Sequence, residues 1–471
     1  MEDFQMEIKL TVKSQTSSCC SATPEPTTTC CGSTEQTKKE TTSNEMAFHL
    51  NKQYPVAILG AGPVGLAAAA HLAGAGESFI VLEKGADVAK NIKSWQHVRL
   101  FSPWQYNVDK AAKELLQKHG WKMPQEDELP TGQEIREHYL QPLANIPEIK
   151  PFISFNTTVV GISKKNHDKM KSANRDQAPF VLYIEQDDET KQILASAIID
   201  ATGTWTQPNP ILSDNVWTKA EKQLANKIFY GIPNVDELKN RYSGKRVAVV
   251  GGGHSAINTI LELEKLKDVE ITWILRKKRV EDAYGGEDKD ALAARGELGS
   301  QIHNLVDEGK VKVYTPFYIQ NLEQTKDGII IKGEDPDGEQ QLPVVDEIIS
   351  NTGSRPDFSF LNEIRLSIDA AVESVETLAP LIDPNEHSCG TVRPHGELEL
   401  RQPEAGFYIV GMKSYGRAPT FLMATGYEQV RSIVAYLTGD IEASRKVELD
   451  LPETGVCSLD LSASNTKTTC C

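Results

Sequence analysis

The apolar positions of this chain gather in short, dense runs. Val56-Ala57-Ile58-Leu59 and Phe79-Ile80-Val81-Leu82 are unbroken quartets, and Arg246–Val250 and Ile271–Leu275 are nearly as apolar. Runs of this length, bounded by glycine and polar residues, read as strands buried on both faces, as in a parallel sheet. Leu66–Leu72 lies between the first two and Ile257–Lys265 between the second two, each able to form a helix that packs on a sheet. The pattern thus predicts a strand–helix–strand unit twice. The runs Phe180-Val181-Leu182-Tyr183-Ile184 and Gly328-Ile329-Ile330-Ile331, one in each unit, suit small antiparallel sheets.

Each unit carries a glycine-rich turn between its strand and its helix: Gly60-Ala61-Gly62-Pro63-Val64-Gly65 and Gly251-Gly252-Gly253-His254-Ser255-Ala256. The first glycine permits a tight bend and the second lets backbone approach a pyrophosphate. The small sixth residue, Gly65 or Ala256, lets helix and strand pack. The anion then sits on the helix N-terminus, where free N–H groups and the helix dipole favour it. The surrounding strand–turn–helix–strand spacing is what makes so short a motif specific. Two turns predict two dinucleotides, with His254 and Ser255 beside the second pyrophosphate. A further duplicated element, Ile199-Asp200-Ala201-Thr202-Gly203 and Ile349-Ser350-Asn351-Thr352-Gly353, closes each unit and adds Thr202 and Gly203 to the first site.

The two sites differ at the end of the second strand. The first reads Leu82-Glu83-Lys84, where Glu83 is placed to accept hydrogen bonds from ribose hydroxyls, with Lys84 adjacent. The second reads Leu275-Arg276-Lys277-Lys278-Arg279, four consecutive cations where an NAD site would place an acid. They suit the 2′-phosphate of NADPH, gripped bidentately by Arg276 with Lys277 beside it. A solvated basic loop is the competing reading. The first site is assigned to FAD and the second to NADPH.

Further on, Gly406-Phe407-Tyr408-Ile409-Val410-Gly411 is another buried-strand pattern, followed by a helix from about Thr420 to Leu437, so the chain is expected to return to its first domain. The predicted fold is α/β, with two Rossmann-like dinucleotide-binding domains of the three-layer ββα type. The FAD domain is discontinuous, over residues 54–235 and 357–440, and the NADPH domain is inserted over 240–356. Residues 1–53 and 441–471, crowded with Thr, Ser, Lys and Glu, read as disordered cysteine-containing tails.

A length of 471 residues accommodates two or three domains of ordinary size. The formal net charge of −16 argues against a nucleic-acid surface or an anionic membrane surface. No apolar run approaches the roughly 20 residues that span a bilayer, and Met1-Glu2-Asp3-Phe4 lacks the basic and apolar regions of a leader. A cytoplasmic location is expected. Leu451-Pro452-Glu453-Thr454-Gly455 matches a sortase signal in letters but lacks its apolar segment and basic tail.

With these turns, Ala201-Thr202-Gly203-Thr204-Trp205-Thr206-Gln207-Pro208 and Tyr242-Ser243-Gly244-Lys245-Arg246-Val247, residues 54–440 resemble the flavoprotein oxidoreductases with two dinucleotide-binding domains. Within that superfamily the likeness is to the flavin-containing monooxygenase branch, related to thioredoxin-reductase-like enzymes. The disulfide reductases usually end the late strand in Gly-Asp, the Asp binding the ribityl chain. Here Gly411 is followed by Met412, which cannot accept that bond. The resemblance implies that Gly411 and Thr420 lie at the flavin, the helix N-terminus facing its N1/C2 edge. A plain helix cap with Pro419 in the first turn is the alternative. It also implies that Trp95–Trp104 covers the isoalloxazine, bringing His97 and Arg99 near it, with a purely structural His97 as the alternative. No catalytic acid or base stands out.

The eight cysteines sharpen the picture. A dithiol reductase needs a redox pair beside its flavin, commonly Cys-x-x-Cys or Cys-x4-Cys, and between residues 32 and 456 there is only Cys389. The tails instead hold three adjacent pairs, Cys19-Cys20, Cys30-Cys31 and Cys470-Cys471, with Cys457 nearby. Adjacent Cα atoms lie about 3.8 Å apart, short of the relaxed disulfide window of roughly 4.4–6.8 Å. As thiolates the pairs suit soft ions such as Hg(II), Cu(I) or As(III). Cysteines scattered by chance in polar tails are the competing reading.

The expected activity is that of an FAD-dependent oxidoreductase taking hydride from NADPH, a monooxygenase acting on a small nucleophilic substrate. The rivals are an NADPH-dependent reductase of a thiol, soft metal or metalloid captured by the tail cysteines, and a non-enzymatic soft-metal sensor. The oligomeric state stays open, a homodimer included.

Overall fold

A computed structural model describes residues 48–290, 292–385, 395–419 and 421–449. Sixteen strands run through it. The first seven are β1 (Val56–Leu59), β2 (Phe79–Leu82), β3 (Ile153–Ser154), β4 (Thr158–Lys164), β5 (Phe180–Gln186), β6 (Glu189–Ala195) and β7 (Ala197–Asp200). Then come β8 (Ile228–Tyr230), β9 (Arg246–Val250), β10 (Glu270–Ile274), β11 (Val311–Tyr314), β12 (Tyr318–Thr325), β13 (Gly328–Asp335), β14 (Gly338–Gln341), β15 (Glu347–Ser350) and β16 (Phe407–Ile409).

The short apolar runs become the buried strands of two all-parallel sheets, ordered β16-β7-β1-β2-β3 and β11-β10-β9-β15-β8. In each, the glycine-turn strand sits at the centre, where both faces are covered and only apolar side chains fit. The alternating runs form two antiparallel sheets, β4-β5-β6 and β12-β13-β14. The helix α1 (Pro63–Gly74) follows β1, and α2 (His254–Glu264) follows β9. Four consecutive alanines, Ala67–Ala70, are wholly buried in α1, small enough to bring the helix close to its neighbours. A later helix, α3 (Met423–Leu437), packs on α1.

The α/β fold with two Rossmann-like bodies is therefore present. β16 enters the first sheet beside β7, with Phe407 opposite Ile198, so the late segment rejoins the first body. The buried Arg175–Glu404 ion pair ties that segment to the loop between β4 and β5. Each body has its own core: one draws on residues 56–199 and 361–437, the others on residues 211–349. Two strands of backbone cross between the bodies side by side. Asn209 N–H donates to Gly353 O at 2.9 Å and Arg355 N–H to Gln207 O at 2.9 Å.

Three boundaries differ from the sequence expectation. The second body begins ahead of residue 240, because β8 pairs with β15 and Ile211 and Leu212 already belong to its core. The first fifty residues are not all tail, since Phe48 packs under Gly406 and its N–H donates to the Tyr436 hydroxyl at 3.3 Å. Likewise, residues 441–449 extend the fold: the helix Ile441–Arg445 is anchored by Ser432 Oγ donating to Ser444 O at 2.5 Å. At the two ends polar composition hid a segment held by a few tertiary contacts, whereas β8 is an apolar segment too short to stand out. Among the described residues no helix is long and apolar enough to cross a membrane.

Candidate functional site

Both glycine turns open onto one cleft of about 1080 Å³ between the two bodies. That lies at the upper end of the roughly 300–1,000 Å³ range of ligand sites. Its wall combines the first turn, the end of β2, the Ala201–Trp205 segment, the second turn, Arg276 and Lys277, and Gly411–Met412.

The glycines act at different places. A Cβ on Gly65 would lie 2.0 Å from Gly60 O, and one on Gly251, already at φ +133°, would lie 2.4 Å from Asn351 O. These two let helix or strand approach. Gly62 and Gly253 instead face open space and line the cleft as the N-caps of α1 and α2, with no side-chain cap. Two helix N-termini thus present uncapped N–H groups to the cleft, the arrangement that binds pyrophosphate.

Glu83 is buried at the end of β2, its carboxylate fixed by Ala61 N–H at 2.8 Å and Gly85 N–H at 2.6 Å. Each oxygen keeps a further acceptor position, and Glu83 lines the cleft. At the second site Arg276 is exposed, and among the described residues it is held by a 3.3 Å bond from Nη1 to Ser213 O. Lys277 Nζ donates to Asp282 O at 2.8 Å, and Arg279 pairs with the Asp282 carboxylate at 2.7 Å. The four cations divide: Arg276 and Lys277 face the cleft, while Arg279 braces the loop.

His254, first residue of α2, packs 5.8 Å from the Phe101 ring. Burial, then the nearby Arg295 and Lys277 charges, pull its pKa below the usual histidine value, against the opposing Asp290. Burial thus favours the neutral ring, which can donate one hydrogen bond.

Thr202, Gly203, Ser255 and Gly411 also line the cleft; Gly65 and Ala256 lie behind it, where packing is their part. Lys84 is exposed and outside the wall; His97, half-buried, also lies outside it, and its Nε2 is buried without a partner among the described residues. Burial lowers its pKa, although the Pro233 and Ile232 carbonyls and Glu237 and Glu262 act to raise it. Arg99 lines a smaller neighbouring pocket instead. Thr420 and the cysteines Cys19, Cys20, Cys30, Cys31, Cys470 and Cys471 lie outside the described residues.

Sequence reading missed several groups. Lys413, fully buried, binds Asp200 Oδ2 at 2.6 Å and Thr202 Oγ1 at 3.2 Å, while Thr202 Oγ1 donates to Asp200 Oδ1 at 2.7 Å. The Phe358 and Phe360 rings face the ammonium at 5.3 and 4.5 Å. This network locks the end of β7 to the turn after β16, the two segments that carry Thr202 and Gly411. Trp95 and Trp205, tilted with centroids 6.3 Å apart, form an aromatic part of the wall. The carboxamide oxygens of Asn209 and Asn351, both in the wall, are buried with no hydrogen-bond partner among the described residues. Buried acceptors of this kind fit a ligand that brings donors.

The cleft therefore fits two dinucleotides: two uncapped helix starts, an acid at one ribose position, a cation at the other, and unpaired acceptors between.

A family profile described as pyridine nucleotide-disulphide oxidoreductase matches residues 57–389. Among solved structures the chain is similar to the bacillithiol disulfide reductase Bdr of Bacillus cereus, at TM-score 0.61 and 17% identity, covering 82% of this chain and 98% of that one. It is also similar to DfoA, the cadaverine monooxygenase of desferrioxamine biosynthesis from Erwinia amylovora, at TM-score 0.60 and 14% identity, covering 86% and 99%. An ornithine N-hydroxylase of Kutzneria sp. 744 follows the same fold at TM-score 0.55 and 15% identity, covering 81% and 98%. No curated protein matches the sequence.

Proposed function

The chain belongs to the pyridine nucleotide-disulphide oxidoreductase family, and from that premise we propose that it is an FAD- and NADPH-dependent monooxygenase acting on a small nucleophilic substrate. The observation that carries the choice is the missing dithiol: the chain has no Cys-x-x-Cys or Cys-x4-Cys, and Cys389 is its single cysteine between residues 32 and 456. Electrons arriving at the flavin have no redox pair of that kind to pass to. Met412, in the turn after β16, stands where the resemblance would place the Asp of the disulfide reductases.

When bound, NADPH would supply a hydride and FAD would pass its two electrons to O2, so that with one further proton one oxygen atom goes to the substrate and the other leaves as water. The chain's own residues bind and shield. The N–H groups at the start of α1 and the Glu83 carboxylate hold one dinucleotide, and those at the start of α2 hold the other. Arg276 takes the 2′-phosphate, and neutral His254 donates a hydrogen bond beside the pyrophosphate without adding charge. The Lys413–Asp200–Thr202 network keeps the flavin-side wall fixed, so the reacting rings meet in a set geometry. Trp95, Trp205 and Phe101 exclude water from the space between them.

The test is an absorbance spectrum of the purified protein followed through anaerobic NADPH addition and re-aeration. A yellow protein that bleaches with NADPH, stays bleached without O2 and recovers its colour on re-aeration is the expected result. A protein that NADPH leaves unchanged overturns the proposal.

A second reading, favoured by the three tail cysteine pairs, is reduction of a soft metal, metalloid or thiol compound. It requires NADPH oxidation to continue anaerobically once Hg(II), an arsenic compound or a disulfide is added, and to stop when the pairs are changed to serine.

A further inference from the structure

A second pocket, of about 210 Å³, adjoins the cleft. The two share Phe101, His254, Ser255, Phe421, Leu422 and Met423, so the pocket lies directly against the space assigned to the cofactors. Four separate stretches build it: the loop from Val98 to Asn107, Ile232, the start of α2, and the residues leading into α3. None of the dinucleotide features described above belongs to it alone.

Its chemistry is one-sided. Leu100, Phe101, Ile232, Phe421 and Leu422 supply an apolar lining. Of its polar residues Ser102, Asn107, Ser255 and Asn258, three are already hydrogen-bonded: Asn258 Nδ2 donates to His254 O at 3.0 Å, and Ser102 and Asn107 bond to each other. Ser102 Oγ donates to Asn107 Oδ1 at 3.1 Å, and Asn107 Nδ2 donates to Ser102 O at 2.7 Å and Pro103 O at 2.9 Å. With His254 neutral, Arg99 is the one charged residue in the described lining. Its Nη1 donates to Leu129 O and lies 3.8 Å from Glu134 Oε2, a carboxylate already engaged by the Thr131 N–H and hydroxyl. Nε and Nη2 of Arg99 have no hydrogen-bond partner among the described residues, and the side chain is 59% exposed. The volume falls below the roughly 300–1,000 Å³ of drug-sized sites, which restricts the occupant to a small molecule.

We propose that this pocket is the acceptor-substrate site and that it takes a small organic carboxylate, the carboxylate on Arg99 and the apolar body against Leu100, Ile232 and Leu422. The far end of such a molecule then reaches the Phe101–His254 boundary with the cleft. The assignment rests on the flavin enzyme reading above, and it adds what that reading leaves open: the chemical class of the substrate and the residue that selects it. An exposed guanidinium is well suited to the part, because it meets the anion at the mouth and needs no buried charge in the empty pocket.

Benzoate and its neutral isostere benzamide serve as probes of the flavin-loaded protein, read by perturbation of the flavin spectrum and by calorimetry. Benzoate is expected to bind saturably, with benzamide at least about tenfold weaker, the range a charge-assisted hydrogen bond supplies. Arg99→Gln should lower benzoate affinity about tenfold and remove the preference over benzamide, whereas Arg99→Lys keeps part of it. Ile232→Trp should abolish binding of both by filling the pocket. Retained flavin colour checks that each variant folds, and the exposed Arg99 carries the test if Ile232→Trp does not. Equal binding of the two probes, no benzoate binding by calorimetry, or benzoate affinity unchanged in Arg99→Gln overturns the assignment. Failure of NADPH to reduce the flavin overturns the preceding reading separately, while benzoate binding that depends on charge and on Ile232 still establishes the carboxylate site.

Discussion

Arg276 is the residue we propose selects the nicotinamide cofactor of the second site, whose wall it lines. It projects from the end of β10 with only a long bond to Ser213 O, so its guanidinium can reorganise around a phosphate without breaking a strong contact. Arg276→Ala is expected to weaken NADPH binding about 10- to 100-fold, the value of a charged hydrogen-bonded contact, while NADH changes little. Titration with both nucleotides measures the ratio, and equal losses would remove Arg276 from the 2′-phosphate. Glu83 and Arg276 were legible in the sequence because a strand end after a glycine turn fixes where its side chains stand. Lys413, Asn351 and Arg295 were not. Their neighbours in space, Asp200, Gly231 and Phe101, lie far along the chain and follow from topology alone.

Among the elements, the glycine turns separate packing from binding. Gly65→Ala places a methyl group 2.0 Å from Gly60 O, with backbone rather than a flexible side chain in the way. It is expected to lower the melting temperature by several degrees, as 1–3 kcal/mol of overpacking strain does, and to lose flavin as a consequence. Gly253→Ala meets nothing within 4 Å, and its backbone at φ −107° suits alanine. That variant should fold normally and bind NADPH at least about tenfold more weakly, because the methyl group enters ligand space. Thermal melts and nucleotide titrations on both proteins separate the roles; a Gly253→Ala protein with unchanged NADPH affinity contradicts the placement. The motif is read in sequence as one unit, yet its positions do unlike work. Gly65 meets the Gly60 carbonyl within its own turn, whereas the contact of Gly251 with Asn351 depends on the register of β9 against β15.

At the scale of the whole molecule, the two-body layout was visible because each strand–helix–strand unit is local. The boundaries were not, because β8 and the helix Ile441–Arg445 are short and join through distant partners. The acid response also belongs to the whole chain. His97 and His254 both have folded values below the ordinary histidine pKa, so between that value and their own the unfolded chain binds more protons. Their contribution to stability is complete above the ordinary value and is lost as pH falls toward the folded values. The half-buried His303, raised by its hydrogen bond with Glu287, acts in the opposite sense. Urea midpoints should therefore drop between pH 7.5 and 5.5, before the carboxylates titrate, and His254→Gln should flatten that slope. A midpoint that rises on acidification would contradict the burial of both rings.

The side-by-side crossing at Asn209–Gly353 and Gln207–Arg355 makes the inserted body a detachable cassette. Its ends already touch, so joining residue 209 to 353 through two or three glycines closes a gap with little loop entropy to overcome. A chain lacking residues 210–352 is expected to remain yellow yet blind to NADPH, reducible only by a small chemical donor such as dithionite. A colourless product would mean that the flavin body needs its insert to fold. If the yellow product forms, the electron supply of this protein is exchangeable: a domain reading a different nucleotide could be spliced into the same two bonds and rewire the enzyme to another reductant.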